Sequence, residues 1–113
     1  LMVVLICGGR EYKDHKMIDF VIQQLIKMNV WCIIHGAARG ADTMAAECAD
    51  AYGIQTTPFP ADWDTYPDDA GTRRNTQMIR EGKPDLVVAF PGGTGTANMI
   101  AQSRKHGIRV IDL

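Results

Sequence analysis

Apolar runs alternate with amphipathic stretches from one end of the chain to the other. The runs Met2–Cys7, Val30–His35, 54–59, 85–90 and 109–113 are short and mostly rich in Val, Ile or Leu, the pattern of strands buried on both faces. Between the first two runs, Ile18, Val21, Ile22, Leu25 and Met28 fall at helical spacing. They predict a helix over 15–28, with Asp14 as its N-cap. A second helix follows from Ala41, Met44, Ala45, Cys48, Ala49 and Tyr52, which recur at intervals of three and four. A third is predicted over about 72–81 and a fourth over about 96–106. Strands alternating with helices imply parallel pairing through right-handed crossovers. The expectation is an α/β fold: a Rossmann-like three-layer sandwich with a five-stranded parallel sheet in the order 3-2-1-4-5, formed by residues 1–113 as a single domain.

The glycines sort by position. Gly53, Gly82 and Gly107 each follow a predicted helix, where a left-handed C-cap is wanted, and Gly71 precedes the third helix. The other seven, Gly8, Gly9, Gly36, Gly40, Gly92, Gly93 and Gly95, lie in loops that leave a strand and enter a helix. Those loops share the carboxyl edge of the sheet, where open α/β folds bind ligands. With strands one and four adjacent but wound in opposite directions, a crevice is expected between Gly8-Gly9 and the segment PGGTGT (91–96). A glycine-rich turn that opens a helix offers free N–H groups and a favourable dipole to a phosphate. Thr94 and Thr96 either add hydroxyl donors there or serve as an N-cap.

Polar residues gather at the same edge. In HGAARGAD (35–42), the small residues Gly36, Ala37 and Gly40 permit close backbone approach, and Arg39 can pair with phosphate. Asp42 either accepts from ribose hydroxyls or complements the helix start. His35 reads as a satisfied near-core histidine. In the third helix Arg74 and Asn75 continue the apolar stripe by one turn and should point into the crevice, while Arg73 is solvated. Arg10 faces the same mouth. The irregular stretch PFPADWDTYPDDAG (58–71) carries Trp63 and Tyr66. It is either a lid over the site or a linker packed by its own aromatics.

Composition removes several classes. Twelve Lys and Arg against thirteen Asp and Glu give a net charge of −1, unlike the basic excess of a dedicated duplex-binding protein. The longest apolar run ends at Cys7, far short of the roughly 20 residues of a membrane span. A cytoplasmic, unexported chain is expected, with Leu1 a tag remnant ahead of a natural start at Met2. Cys7, Cys32 and Cys48 are odd in number and in apolar contexts, so buried free thiols are expected. The cations Arg104, Lys105, His106 and Arg109 lie at the opposite end, where they complement a helix dipole. GxGxxG and GxxxxGK[ST] are absent, as are metal-ligand spacing and a serine triad around the lone Ser103. No cofactor or metal is implied.

The segments GGRxYxD (8–14), HGAARGAD (35–42), ADW (61–63), RRNTQM (73–78) and FPGGTGTA (90–97) resemble the YspA/YpsA-related branch of the SLOG superfamily, in order and over nearly the whole chain. That superfamily is similar in fold to LOG-type phosphoribohydrolases, often labelled lysine decarboxylase-like, and to the DNA-processing protein Smf/DprA, with small stand-alone copies in phages and bacteria. The resemblance implies a nucleotide-related ligand over the GGxGT loop. LOG enzymes carry PGGxGTxxE, whose glutamate serves N-glycosidic cleavage, and the matching position here is Met99. A thioether cannot act as acid or base.

Three functions follow, in order of preference. The first is binding of a nucleotide or nucleotide-derived small molecule, such as a ribose phosphate or an ADP-ribose-like compound, as a sensor, carrier or sequestering domain. The phosphate would lie on Gly92, Gly93, Thr94, Gly95 and Thr96, with Arg74 and Arg10 balancing its charge, Asp42 reading the ribose and Trp63 stacking on the base. The second is a nucleoside-monophosphate N-glycosidase using a displaced carboxylate, Asp42, Asp62 or Asp64. The third is a DNA-associated module, which the near-neutral charge disfavours. A homodimer would draw on Met99 or Ile100 if these are exposed, although apolar residues of a crossover helix are usually core.

Overall fold

A computed structural model describes residues 1–113. Its elements are β1 (Met2–Cys7), α1 (His15–Lys27), β2 (Val30–His35), α2 (Ala41–Ala51), β3 (Gln55–Pro58), α3 (Ala70–Gly82), β4 (Leu86–Ala89), α4 (Thr94–Lys105) and β5 (Arg109–Asp112). All strands pair in parallel, in the order β3-β2-β1-β4-β5. The expected topology is therefore the observed one. β1 and β4 are neighbours, with Val4 opposite Leu86 and Cys7 opposite Ala89, and the winding reverses between them.

The pleat sends alternate residues of each strand to opposite core layers. Val4, Ile6, Ile33, Leu86 and Val88 pack with Ile18, Ile22 and Leu25 of α1 and with Ala41, Ala45 and Ala49 of α2. Leu5, Cys7, Ile34, Val87 and Ala89 pack with Met78, Ile79 and Met99 from α3 and α4. Each fully buried Leu, Ile or Val contributes about 1.5–3 kcal/mol of transfer free energy. Truncating Ile6, which is wholly inaccessible, to Ala is expected to cost about 2–5 kcal/mol.

Several local expectations are corrected. α3 begins at Ala70, so Gly71 sits in its first turn rather than ahead of it, and α4 begins at Thr94 with Gly93 as N-cap. The turn before α3, where Ala70 N–H donates to the carbonyl of Tyr66, leads the chain into the helix early. Gly82 is the last residue of α3, and the left-handed position falls on Lys83 with φ of 47°. What Gly82 supplies is close helix–sheet packing, since a Cβ there would collide with the Ile34 side chain. Gly53 and Gly107 do take the left-handed cap, at φ of 76° and 72°. Asp14 caps α1 through a bond from Met17 N–H. Met28 and Tyr52, counted in the apolar stripes, are C-caps and stand exposed. Cys48 is only half-buried, its thiol 3.6 Å from Asp19 Oδ1 in the seam between α1 and α2. Met99 is 1% exposed, and Ile100 packs half-buried on the same layer. Met99 is thus core and offers no surface for a dimer.

Candidate functional site

Three loops leave the carboxyl edge of β1, β2 and β4, and they interlock. Gly9 N–H donates to Pro91 O at 2.9 Å, while Gly9 O accepts from Tyr12 N–H at 3.2 Å and Ala41 N–H at 3.1 Å. The approach requires bare Cα atoms. A Cβ on Gly8 would sit 2.6 Å from that of Ala41 and 2.9 Å from that of Phe90, and one on Gly92 would press on the Thr96 hydroxyl and Gly9 N. Gly40, at φ of 82°, turns its Cα toward the Gly9–Arg10 backbone. Gly36 lies under the guanidinium of Arg74. Of the seven loop glycines, only Gly93 and Gly95 face open space.

That open space is a cleft of about 740 Å³ between the loops after β1 and β4, closed on a third side by the segment before α3 and by α3 itself. On one wall is the start of α4. Its first backbone bond is Ala97 N–H to Gly93 O, so the N–H groups of Thr94, Gly95 and Thr96 have no backbone partner. Such an end carries about half a positive elementary charge. Arg74 stands opposite, its Nε donating to Asn75 Oδ1 at 3.0 Å and its Nη1 to Gly36 O. Asn75, in turn, donates to Gly95 O at 3.2 Å and to Asn98 Oδ1 at 3.0 Å. The chain from the β2 loop through Arg74 and Asn75 to α4 fixes the spacing of the walls, and burial lowers the Arg74 pKa below its ordinary value. Arg10 completes the cationic side, with its guanidinium 5.8 Å from the centroid of the Trp63 ring.

Asp42 lies at the base of the cleft, 5% exposed. Its Oδ2 accepts from Gly36 N–H at 3.1 Å and Ala38 N–H at 3.3 Å, tying α2 to the loop that precedes it. Oδ1 is buried with no partner. Burial raises its pKa from 3.8 to about 6, against the lowering pull of the two N–H bonds, Arg74 and Arg10. Burial also pushes the Cys7 thiol, on the cleft floor, up to about 12. His35 accepts from Ala37 N–H at 3.1 Å, and burial lowers its pKa. It is the satisfied near-core histidine expected.

The structure brings Gly8, Gly9, Arg10, Asp42, Trp63, Arg74, Asn75, Gly93, Thr94, Gly95 and Thr96 to the cleft. Gly40 and Gly92 stay behind it as packing contacts. Gly36, Ala37 and Arg39 line a smaller neighbouring recess instead. Arg39 is 71% exposed and pairs with Glu11 at 2.5 Å, and it lines that recess rather than the cleft. The cleft also contains Ala38 of the HGAARGAD segment, Asp68 and Asp69 of the irregular 58–71 stretch, and Cys7, Thr72 and Asn98, which the sequence had not singled out. Only Asn98 had a visible signal, lying four residues after Thr94 and so on the same helix face. Within the irregular segment before α3, the Tyr66 ring lies 4.0 Å from the guanidinium of Arg73, and Trp63 lines the cleft. No group of three His, Cys, Asp or Glu side chains is placed to hold a metal ion, and no helix is long and apolar enough to cross a membrane.

Fold and cleft together define a doubly wound parallel α/β protein with an anion-favouring helix start at its topological switch point. The chain belongs to the YspA, cpYpsA-related SLOG family, whose profile matches residues 2–66. It is 36% identical over 118 residues to the Gene 61 protein of Mycobacterium phage D29, covering 96% of this chain and 94% of that one. Among solved structures it is similar to DNA processing protein A (DprA) of Streptococcus pneumoniae, with a TM-score of 0.79 and 21% identity, covering 99% of this chain but only 50% of that one. It is also similar to the Moco carrier protein of Chlamydomonas reinhardtii, with a TM-score of 0.73 and 21% identity, covering 99% of this chain and 75% of that one.

Proposed function

We propose that this protein binds a nucleotide or nucleotide-derived small molecule in the cleft and holds it intact, as a sensor, carrier or sequestering domain. One observation carries the reading: the cleft joins an unpartnered helix start, flanked by Arg10 and Arg74, to a buried carboxylate oxygen that lacks a donor. A phosphoryl group suits the first and a sugar hydroxyl the second. Gly93 and Gly95 leave the helix start accessible, and the exposed face of Trp63 offers a stacking surface for a base. Similarity to the Moco carrier protein and to a molybdenum cofactor binding protein of Rippkaea orientalis adds support by analogy, since their names describe holding a small molecule. The test is mass spectrometry of whatever the purified protein releases on denaturation, followed by calorimetry with that compound. A phosphorylated nucleoside derivative released intact is expected, and a cleft that takes up no nucleotide in calorimetry refutes the reading.

A second reading, N-glycosidic hydrolysis of a nucleoside monophosphate, is favoured by a single feature, the elevated pKa of Asp42 beside the cleft. Such a carboxyl is suited to acid–base work near neutrality. It predicts slow release of free base that Asp42→Asn abolishes, and bound nucleotide that is never turned over retires it.

A further inference from the structure

Beside the main cleft lies a second recess of about 350 Å³, and the two share Arg10, Ala38, Trp63 and Arg74 as a common wall. Their charge differs. The main cleft is lined by three carboxylates, Asp42, Asp68 and Asp69, as well as by two arginines. The second recess is lined by three arginines, Arg10, Arg39 and Arg74, and by no carboxylate. Its remaining wall is apolar or backbone, from Pro60 and Ala61 on one side and residues 36–38 on the other. Three guanidinium-bearing side chains line this small concavity, and planar donors of this kind suit a phosphoryl group. Glu11 meets Arg39 only from outside, in a pair whose side chains are both more than 70% exposed. Exposed pairs of this kind contribute little, so Glu11 is readily displaced by a divalent anion.

We infer that the second recess is a distinct anion subsite and that the ligand is a nucleotide bearing a second phosphate, separated from the first by at least one sugar, as in a nucleoside bisphosphate or a short dinucleotide. The first phosphate lies on the α4 start, the intervening sugar passes Asp42, and the second phosphate reaches Arg10, Arg39 and Arg74 past the edge of Trp63. Arg10 and Arg74 face both recesses, whereas Arg39 and Ala61 line only the second. This inference rests on the nucleotide reading of the main cleft and adds the spacing of charge that the ligand must have.

Calorimetry at about 0.15 M salt, where weak surface attraction is screened, compares the four ribonucleoside 5′-monophosphates with the matching 3′,5′-bisphosphates and 5′-phosphorylated dinucleotides. At least one doubly phosphorylated compound is expected to bind about tenfold or more tightly than the best monophosphate. Ala61→Asp and Arg39→Glu, each checked for folding by circular dichroism, should abolish that gain and leave monophosphate affinity within about twofold. Monophosphates that bind with no gain from the second phosphate would overturn the subsite and leave the main cleft standing. A gain that survives both substitutions, or a loss that falls equally on both ligand classes, overturns it too. Failure of every compound to bind would remove the nucleotide reading itself.

Discussion

Replacement of Asp42 by Asn should make the protein more stable at neutral pH while leaving it incomplete as a binding site. The carboxyl is 5% exposed, and one oxygen has no partner. Burial is the main cause of the rise in its pKa from 3.8 to about 6. A folded-state pKa raised above the unfolded one means that the native state holds the proton more tightly. Stability is then greatest below about pH 4 and falls as pH rises to about 6. At about 1.4 kcal/mol per pH unit of displacement, the loss attributable to this group is about 3 kcal/mol. Asn keeps an oxygen for Gly36 N–H and Ala38 N–H and removes the charge. Urea unfolding of both proteins at pH 4 and pH 7.5, followed by far-ultraviolet circular dichroism, isolates the effect, because titration of every other group is common to both. The stability difference between variant and parent should shift by about 2.4 kcal/mol toward the variant on going from pH 4 to pH 7.5, the first part of the loss having already occurred by pH 4. A difference that stays constant across that range would refute the argument that an uncompensated carboxylate lies in the floor of the cleft.

Further outcomes follow from the same geometry. Because a ligand hydroxyl donated to Asp42 Oδ1 would favour the ionised form, nucleotide affinity should rise between pH 5 and pH 7 and binding should release protons, as calorimetry in buffers of different ionisation enthalpy would reveal. Gly93→Asp meets no atom within 4 Å and should fold normally, yet it places a carboxylate beside the free N–H groups of α4. Nucleotide affinity should fall at least about tenfold in that variant, about 1.4 kcal/mol or more, while its circular dichroism and melting temperature stay close to those of the parent. The Cys7 thiol, with its pKa near 12, should resist iodoacetamide at pH 8 in the native protein and react once the chain is unfolded, with peptide mass spectrometry as the readout.

The sheet order, the four helices and the glycine-rich edge were legible because each rests on local periodicity. An apolar run of strand length next to a stripe at three and four residues fixes what an element is, and strict alternation of strands and helices leaves few topologies. The site was legible in outline for the same reason, since loops after β-strands of a parallel sheet converge. What each loop residue faces is a long-range fact. Gly8 and Gly93 are alike in the sequence, but Gly8 lies against Ala41 and Phe90 whereas Gly93 faces open cleft. Arg39 and Arg74 are both arginines near the start of a helix at that edge, and their surroundings differ. The turn after Ala38 takes Arg39 out to Glu11, while α3 carries Arg74 inward to Gly36 O and Asn75. Asp68 and Asp69 reach the cleft through the path of an irregular segment that has no periodicity to read.

Met99 shows how the same limit bears on chemistry. Its alignment with the glutamate of LOG-type PGGxGTxxE motifs invites the idea that one substitution would restore hydrolysis. The side chain, however, is 1% exposed among Leu5, Val87 and Met78 and does not line the cleft. A glutamate there would lose a well-packed thioether, and its carboxylate would be desolvated without a cation of its own, which raises a buried acid's pKa by up to about 3–5 units. Met99→Glu should therefore destabilise the fold by about 3 kcal/mol or more at pH 7, less at pH 5, and release no base from nucleoside monophosphates. Melting curves at the two pH values together with an assay for free base decide the matter. A stable Met99→Glu protein that cleaves nucleotide would mean that the α4 turn can rotate this position into the cleft, and that the binding and hydrolytic members of the fold are one side-chain exchange apart.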